Sequence, residues 1–158
     1  MHLYDYIDAF FYCFFKFKYC ILKLVVLLIT GVIVLKNNYV FTYGTLLRGE
    51  RNHHYLSDED FVCDAYIKGF KMFDLGRYPG IENGDGIVLG ELYLVDDDTL
   101  KHLDYLEEVD VLYLRKITKI YTNDKEYEGY IYVYNLKVDE YKYLGEGIYS
   151  WKNKENRK

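Results

Sequence analysis

The carboxylate of Glu107 lies at a position where the surrounding helical pattern is apolar. Leu100, Leu103 and Leu106 recur at helical spacing and form the apolar stripe of a predicted amphipathic helix. At about 100° per residue they fall near 0°, 300° and 240°, and Glu107 falls near 340°, inside their arc. Burial disfavours the charged form of a carboxyl group and raises its pKa, which suits a general acid/base near neutral pH. Glu107 is therefore a candidate proton-transfer group.

Two structural interpretations of Glu107 stay open at this stage. Glu107 would form a salt bridge with Arg115, or the helix would end before it and leave its side chain in solvent. The neighbouring carboxylates Asp104 and Glu108 lie at the edge of the apolar arc or beyond it, so Glu107 is the one aimed at the core side.

A second candidate is the turn Tyr43-Gly44-Thr45-Leu46, which follows the short apolar run Tyr39–Phe41. Gly44 lets a ligand approach the main chain closely. Successive backbone N–H groups in such a turn can form an anion-binding concavity. The residues alone do not distinguish a phosphate from a carboxylate, and Tyr43 has an alternative role as a core aromatic.

Five stretches rich in β-branched and aromatic residues predict the strands that position these groups. They are Tyr39–Tyr43, Phe61–Phe73, Ile87–Val95, Tyr113–Tyr121 and Tyr127–Leu136. Turn signals occur at Asn83-Gly84-Asp85-Gly86 and Thr122-Asn123-Asp124, the second joining a hairpin, and the only proline, Pro79, is expected in a loop between strands.

One helix is clear, with Asp98 as its cap and Thr99–Glu108 as its body, and a weaker helix spans Asn52–Leu56. The run Asp96-Asp97-Asp98 indicates a helix start rather than a metal site. Many strands, few helices and no alternating βαβ rhythm predict an α+β fold, a small antiparallel-rich barrel with flanking short helices.

Residues 1–35 have a different composition from the remaining chain, being almost entirely apolar or aromatic. The run up to Leu35 is at the short edge of the roughly 20 residues that a membrane span needs. One interpretation is a mis-assigned start, with the working protein beginning near Lys36; the other is a membrane anchor or a signal-like segment. Either way, residues 36–158 form the predicted globular domain.

Charge and cysteine content limit the partners and the compartment. The net charge is −5, and no basic face predicts a nucleic-acid partner. Cys13, Cys20 and Cys63 are odd in number and contain no CxxC, which favours neither a disulfide framework nor a zinc site. A reducing compartment, the cytoplasm, fits this pattern. A membrane location follows only if residues 1–35 are a real anchor.

A set of motifs spanning about residues 38–151 resembles the gamma-glutamylcyclotransferase-like family. In chain order they are Tyr43-Gly44-Thr45-Leu46, Arg48-Gly49-Glu50-Arg51-Asn52-His53, Tyr78-Pro79-Gly80, Gly90-Glu91-Leu92-Tyr93, Leu103-Asp104-Tyr105-Leu106-Glu107, Tyr113-x-Arg115 and, more loosely, Gly147 to Trp151. The short chain and the Tyr-Gly-Thr-Leu form point to the gamma-glutamylamine type within that family.

The resemblance implies a small mixed β-barrel of five to six strands and a cofactor-free activity on a small γ-glutamyl substrate. The substrate's α-amine attacks its own γ-carbonyl, giving 5-oxoproline and a free amine. Glu107 maps onto the family's acid/base, and Tyr43, Gly44, Thr45 and Leu46 map onto the turn that holds the glutamyl group. The alternative is a non-catalytic module of the same fold that binds a small carboxylate.

Three further expectations concern residues around this site. Tyr113 is expected to line the pocket, and Arg115 to be a structural partner of a strand or a nearby carboxylate. Many relatives have glycine after the catalytic glutamate, whereas this chain has Glu108. A second carboxylate there would raise the pKa of Glu107 further or narrow the choice of substrate.

Overall fold

The computed structural model describes residues 36–138, 143–144 and 147–152. Predictions about residues 1–35, with Cys13 and Cys20, lie outside the described residues and stay predictions. Within the described ranges, no helix is both long and apolar enough to cross a membrane.

The described residues form a closed five-stranded mixed barrel with one added strand. The strands are β1 Asn38–Thr42, β2 Asp60–Asp74, β3 Pro79–Val95, β4 Tyr113–Tyr121, β5 Glu126–Tyr134 and β6 Ile148–Tyr149. Their order is β1-β5-β4-β2-β3, and β1 pairs with β3 to close the ring. The β1–β5 and β3–β6 pairs are parallel, and the others are antiparallel. The predicted α+β barrel is confirmed.

The hairpin of β2 and β3 is longer than the sequence predicts. Residues 83–86 are not a turn, because β3 runs through them and Asn83 pairs with Phe70. The register shifts between Lys68 and Phe70, where Gly69 has a φ of 83° that favours glycine. The chain reverses at residues 75–78 instead, and Pro79 begins β3, a position that needs no ladder donor.

The other elements fall close to their predicted bounds. Strand β4 has the predicted ends, and residues 122–125 join it to β5 in the predicted hairpin. The weak helix is a single 3₁₀ turn, His53–Leu56. Strand β6 was not predicted.

The helix, α1, spans Asp97–Leu106 and begins two residues earlier than predicted. Its cap is Asp96 rather than Asp98, because the Asp96 carboxylate accepts the Thr99 backbone N–H at 2.7 Å.

Two apolar layers fix the helix against the barrel. Phe41 of β1 packs in the barrel interior, whereas its neighbour Val40 packs in the layer beneath α1. Leu100 and Leu103 bury the predicted stripe of the helix in that second layer. This packing carries the C-terminal end of α1, and hence Glu107, to the pocket beside the end of β1.

Candidate active site

A pocket lies where β1 ends, and every site residue predicted from the sequence lines it. Its walls also contain five residues that were not predicted for the site. The full lining is Phe41, Thr42, Tyr43, Gly44, Thr45, Leu46, Tyr78, Pro79, Glu107, Tyr113 and Tyr132. Among these described residues, Glu107 is the one with a carboxyl group, and none is a lysine, arginine or histidine.

Glu107 caps the C-terminal end of α1, and its backbone N–H donates to the Leu103 carbonyl at 2.9 Å. The residue is half-buried, with its carboxyl group enclosed, and burial raises its pKa to about 7. Among the described residues, none forms a hydrogen bond or an ion pair with that carboxyl group. A carboxylate without a partner and with a pKa near 7 is suited to take up and release protons in turn.

The two structural interpretations of Glu107 are resolved by its neighbours. Arg115 pairs with Asp104 rather than with Glu107, which agrees with the expected structural role of Arg115. The helix does end just before Glu107, at Leu106, but the Glu107 side chain lines the pocket instead of being released to solvent.

Glu108 follows in a left-handed conformation, with φ of 46°. It ends the helix, and the next residue, Val109, donates its N–H to the Asp104 carbonyl at 3.0 Å. Glycine is favoured at such a position, which explains the glycine that the resemblance leads one to expect. The exposed Glu108 carboxylate does not raise the pKa of Glu107, since burial alone accounts for that shift.

Replacing Glu108 by glycine is expected to raise the free energy of unfolding by about 1 kcal/mol, because a left-handed conformation costs a side-chain-bearing residue about that much. Activity should stay near the wild-type value, since the Glu108 side chain is exposed. Urea unfolding measures the change. Asp110, with φ of 70°, offers the matched substitution Asp110→Gly. A loss of stability in Glu108→Gly would contradict this account of the helix end.

The turn after β1 has three consecutive backbone donors with no partner in the described chain. Leu47 N–H donates to the Gly44 carbonyl at 3.1 Å, and Asn52 N–H donates to the Thr45 carbonyl at 2.9 Å. By contrast, the N–H groups of Gly44, Thr45 and Leu46 have no acceptor among the described residues. Buried backbone donors are rarely left without an acceptor. A carboxylate or oxyanion in the pocket would supply one.

Glycine is required at position 44 by close packing. A Cβ atom there would lie 2.7 Å from Pro79 Cγ and 2.9 Å from Pro79 Cδ. Because Pro79 also begins β3, the turn rests directly on the barrel wall.

Glu91 holds the other end of the turn, a role that the sequence did not indicate. The carboxylate of this buried residue accepts the Arg48 backbone N–H at 2.9 Å and Arg48 Nε at 3.1 Å. It also accepts Tyr93 Oη at 2.9 Å and Lys152 Nζ at 2.7 Å. Burial alone would raise the pKa of Glu91, but these hydrogen bonds outweigh it and lower the pKa. The available signal was a single acid inside the apolar strand segment Leu89–Val95.

Three of the four tyrosines that line the pocket, Tyr43, Tyr113 and Tyr132, donate their hydroxyl groups in hydrogen bonds to described residues. Tyr43 Oη donates to the Tyr132 carbonyl at 2.6 Å, and Tyr113 Oη donates to the Pro79 carbonyl at 2.8 Å. Burial is the main cause that raises the pKa of both phenols. Tyr43 is thus a core aromatic and a pocket residue at once, which joins the two alternatives drawn from the sequence.

Comparison with known protein families matches residues 40–152 to the family described as gamma-glutamyl cyclotransferase, AIG2-like. Among curated proteins, a Vibrio cholerae protein assigned by name to the gamma-glutamylcyclotransferases is 48% identical over 77 residues, which cover 48% of this chain and 67% of that protein. The gamma-L-glutamyl-butirosin B gamma-glutamyl cyclotransferase of Niallia circulans is 33% identical over 103 residues, 61% of this chain and 66% of that protein.

The gamma-glutamylcyclotransferase family protein YtfP of Escherichia coli (strain K12) is similar in both sequence and structure. It is 32% identical over 108 residues, which cover 68% of this chain and 92% of that protein. The solution NMR structure of Escherichia coli YtfP superposes with a TM-score of 0.56 at 31% identity, over 73% of this chain and 99% of the other. The similarity therefore extends over most of the described barrel.

Proposed function

The chain belongs to the gamma-glutamyl cyclotransferase, AIG2-like family, and on that premise we propose that it cyclises γ-glutamyl compounds to 5-oxoproline and releases a free amine. Its kind of activity is that of a cyclotransferase. The observation that carries the proposal is the Glu107 carboxyl group, which is enclosed, lacks a partner among the described residues and shares its pocket with the backbone donors of the turn.

Substrate binding in this proposal uses the turn and the tyrosines. The N–H groups of Gly44, Thr45 and Leu46 donate hydrogen bonds to the substrate's α-carboxylate or to the oxyanion that forms on its γ-carbonyl oxygen. Tyr43 and Tyr113 confine the glutamyl chain so that its two ends meet. Because both reacting atoms belong to one molecule, holding them together is a large part of the catalysis.

Glu107 moves protons from the attacking nitrogen to the leaving nitrogen. Its carboxylate takes a proton from the α-ammonium, and the resulting amine attacks the γ-carbonyl carbon. The C–N bond to the leaving group then breaks as that nitrogen is protonated. Two protons pass in all, so the ring nitrogen keeps one hydrogen and the product leaves as an ammonium ion. Every step is acid/base chemistry, and the proposal therefore includes no cofactor.

The leaving group in this proposal is an amine. The relative from Niallia circulans is named for a γ-L-glutamyl-butirosin B substrate. In this chain the described pocket walls are aromatic and carry no lysine, arginine or histidine to bind an acidic leaving group. A γ-glutamylamine therefore fits the pocket better than a γ-glutamyl peptide with a free carboxylate.

The rate is expected to rise with pH through about 7. Glu107 must be ionised to accept the first proton, and its pKa is raised to about 7. The acid limb of kcat/KM should therefore have its midpoint near 7, whereas an ordinary glutamate would give about 4.3. Initial rates between pH 5 and 9 measure this limb. A rate that is constant from pH 5 to 7 would contradict the assignment.

A panel of γ-glutamyl amines and γ-glutamyl peptides, incubated with the full-length chain, tests the proposal. 5-Oxoproline is measured by mass, together with the released amine. We expect equal amounts of the two products and faster turnover of the amines. Ligand-induced thermal stabilisation without any turnover would instead support a non-catalytic binding module and overturn the proposed reaction.

A further inference from the structure

Asp104 lies one helical turn before Glu107 and makes two contacts with neighbouring strands. Its Oδ2 atom contacts Arg115 Nη1 of β4, and its Oδ1 atom accepts the Tyr132 hydroxyl of β5 at 2.9 Å. The ion pair is partly exposed to solvent, with side chains 26% exposed for Asp104 and 30% for Arg115. The Arg115 guanidinium also lies 4.8 Å from the centre of the Tyr130 ring.

Asp104 is unfavourable for the helix that carries it. It lies in the last turn of α1, where the helix dipole disfavours a negative charge. That turn contains no basic side chain to compensate. The two contacts across to β4 and β5 offset this local cost, so the role of Asp104 lies outside its own helix.

The groups facing Glu107 are tyrosines on every packed element. They are Tyr43 after β1, Tyr78 before β3, Tyr113 on β4 and Tyr132 on β5. The other carboxylates near Glu107 are Asp104, which lies in α1, and the exposed Glu108, which follows Glu107 in the chain. Among the described residues, no lysine, arginine or histidine lines this pocket.

Arg115 is a cation close enough to the pocket to alter the electrostatic environment of the Glu107 carboxyl group. Residues three apart on a helix are neighbours on its surface, so the Asp104 and Glu107 side chains emerge close together. Both carboxylates and the Arg115 guanidinium act electrostatically on the same pocket tyrosine, Tyr132. An arginine released from Asp104 would therefore have Glu107 as a nearby alternative anion, and a salt bridge would hold Glu107 ionised.

We infer that Asp104 is a positioning residue that binds the Arg115 guanidinium and so keeps it from pairing with Glu107. The functional consequence of this pair rests on the proposed function, because Glu107 must exchange protons near neutral pH if it is the acid/base. With the pair intact, burial is the cause of the raised pKa of Glu107.

The test is the pKa of Glu107, followed by ¹³C NMR of its carboxyl carbon in the full-length chain without substrate. Asp104→Asn should lower that pKa by about one unit, because an unpaired Arg115 then stabilises the ionised form. Arg115→Gln should raise it, because an unpaired Asp104 then repels the ionised form. The double variant should return close to the wild-type pKa. Glu107→Gln identifies the resonance by removing it.

Asp98→Asn is the matched control, because it breaks the exposed pair of Asp98 with Lys101 at the other end of the same helix. It should leave the pKa of Glu107 unchanged. Shifts of the same sign in both single variants, or no shift in either, would overturn the inference. The titration does not depend on turnover, so an active Glu107→Gln variant would reject the proposed catalytic role without affecting this result.

Discussion

Replacing Glu107 by glutamine is expected to reduce 5-oxoproline release about 1,000-fold while the barrel stays folded. The amide keeps the shape of the side chain but neither takes a proton from the α-ammonium nor returns one to the leaving nitrogen. A positioned acid/base contributes about 10² to 10⁴ in rate, and here one group performs both transfers. Initial rates by mass detection of 5-oxoproline measure the loss.

The same substitution should stabilise the protein at alkaline pH. The pKa of Glu107 is raised to about 7, so the folded state binds its proton more tightly than the unfolded chain does. That contribution is fully present below about pH 4.3 and is lost as pH rises through 7. Glutamine is never ionised, so it avoids the cost of burying a charged carboxylate at high pH. We expect Glu107→Gln to raise the free energy of unfolding by about 3 kcal/mol at pH 8 and to change it little at pH 4.

Glu108→Gln is the matched control for this experiment. It makes the same change one residue later, at an exposed side chain outside the described pocket lining. Its activity and its stability profile with pH should remain those of the wild type. Full activity in Glu107→Gln would show that another group transfers the protons.

Replacing Gly44 by alanine is expected to lower kcat/KM about 100-fold. The new Cβ would lie 2.7 Å from Pro79 Cγ, whereas carbon atoms normally approach no closer than about 3.5 Å. The turn or Pro79 must therefore shift by roughly 1 Å, and a displacement of that size in a positioning element costs about 10²-fold in rate. Overpacking should also lower the free energy of unfolding by about 1–3 kcal/mol.

Gly49→Ala separates the two effects. Gly49 has φ of 86°, so alanine there costs about 1 kcal/mol in backbone strain, but its Cβ would meet no atom within 4 Å. This control should lose stability and keep kcat/KM close to that of the wild type. Steady-state kinetics and urea unfolding on both variants give the comparison. An equal loss of activity in the two variants would contradict the claim that close packing of Gly44 against Pro79 is needed for activity.

The parts of the fold that the sequence predicted are those set by local pattern. Partial alternation of apolar and polar residues predicted both ends of β4 correctly. The spacing of the leucines in α1 placed Glu107 on the core side of the helix. Local composition misled at residues 83–86, because Asn-Gly-Asp-Gly favours a turn, but β3 pairs with β2 on both sides of residues 84–86, at Asn83 and at Ile87, and runs through them with a shift of register. The helix cap was shifted by two residues because three successive aspartates have the same capping chemistry.

The sequence predicted the two main parts of the site, but not the contacts that hold them in place. Glu107 and the turn Tyr43–Leu46 each carry their own sequence signal. Glu91 has only the weaker signal of a single acid in an apolar strand segment, and its partners Arg48 and Lys152 lie 43 and 61 residues away along the chain. Such contacts arise only when the barrel closes, so no local pattern could indicate them.

The proposed reaction makes one isotopic prediction that tests its central step. A γ-glutamyl amine is incubated with the full-length chain in H₂¹⁸O, and the masses of the products are measured by mass spectrometry. If the α-amine attacks the γ-carbonyl, the product is 5-oxoproline without ¹⁸O, released together with the free amine. Glutamate that carries one ¹⁸O atom would show that water, not the substrate's own nitrogen, is the nucleophile, and would contradict the proposed function.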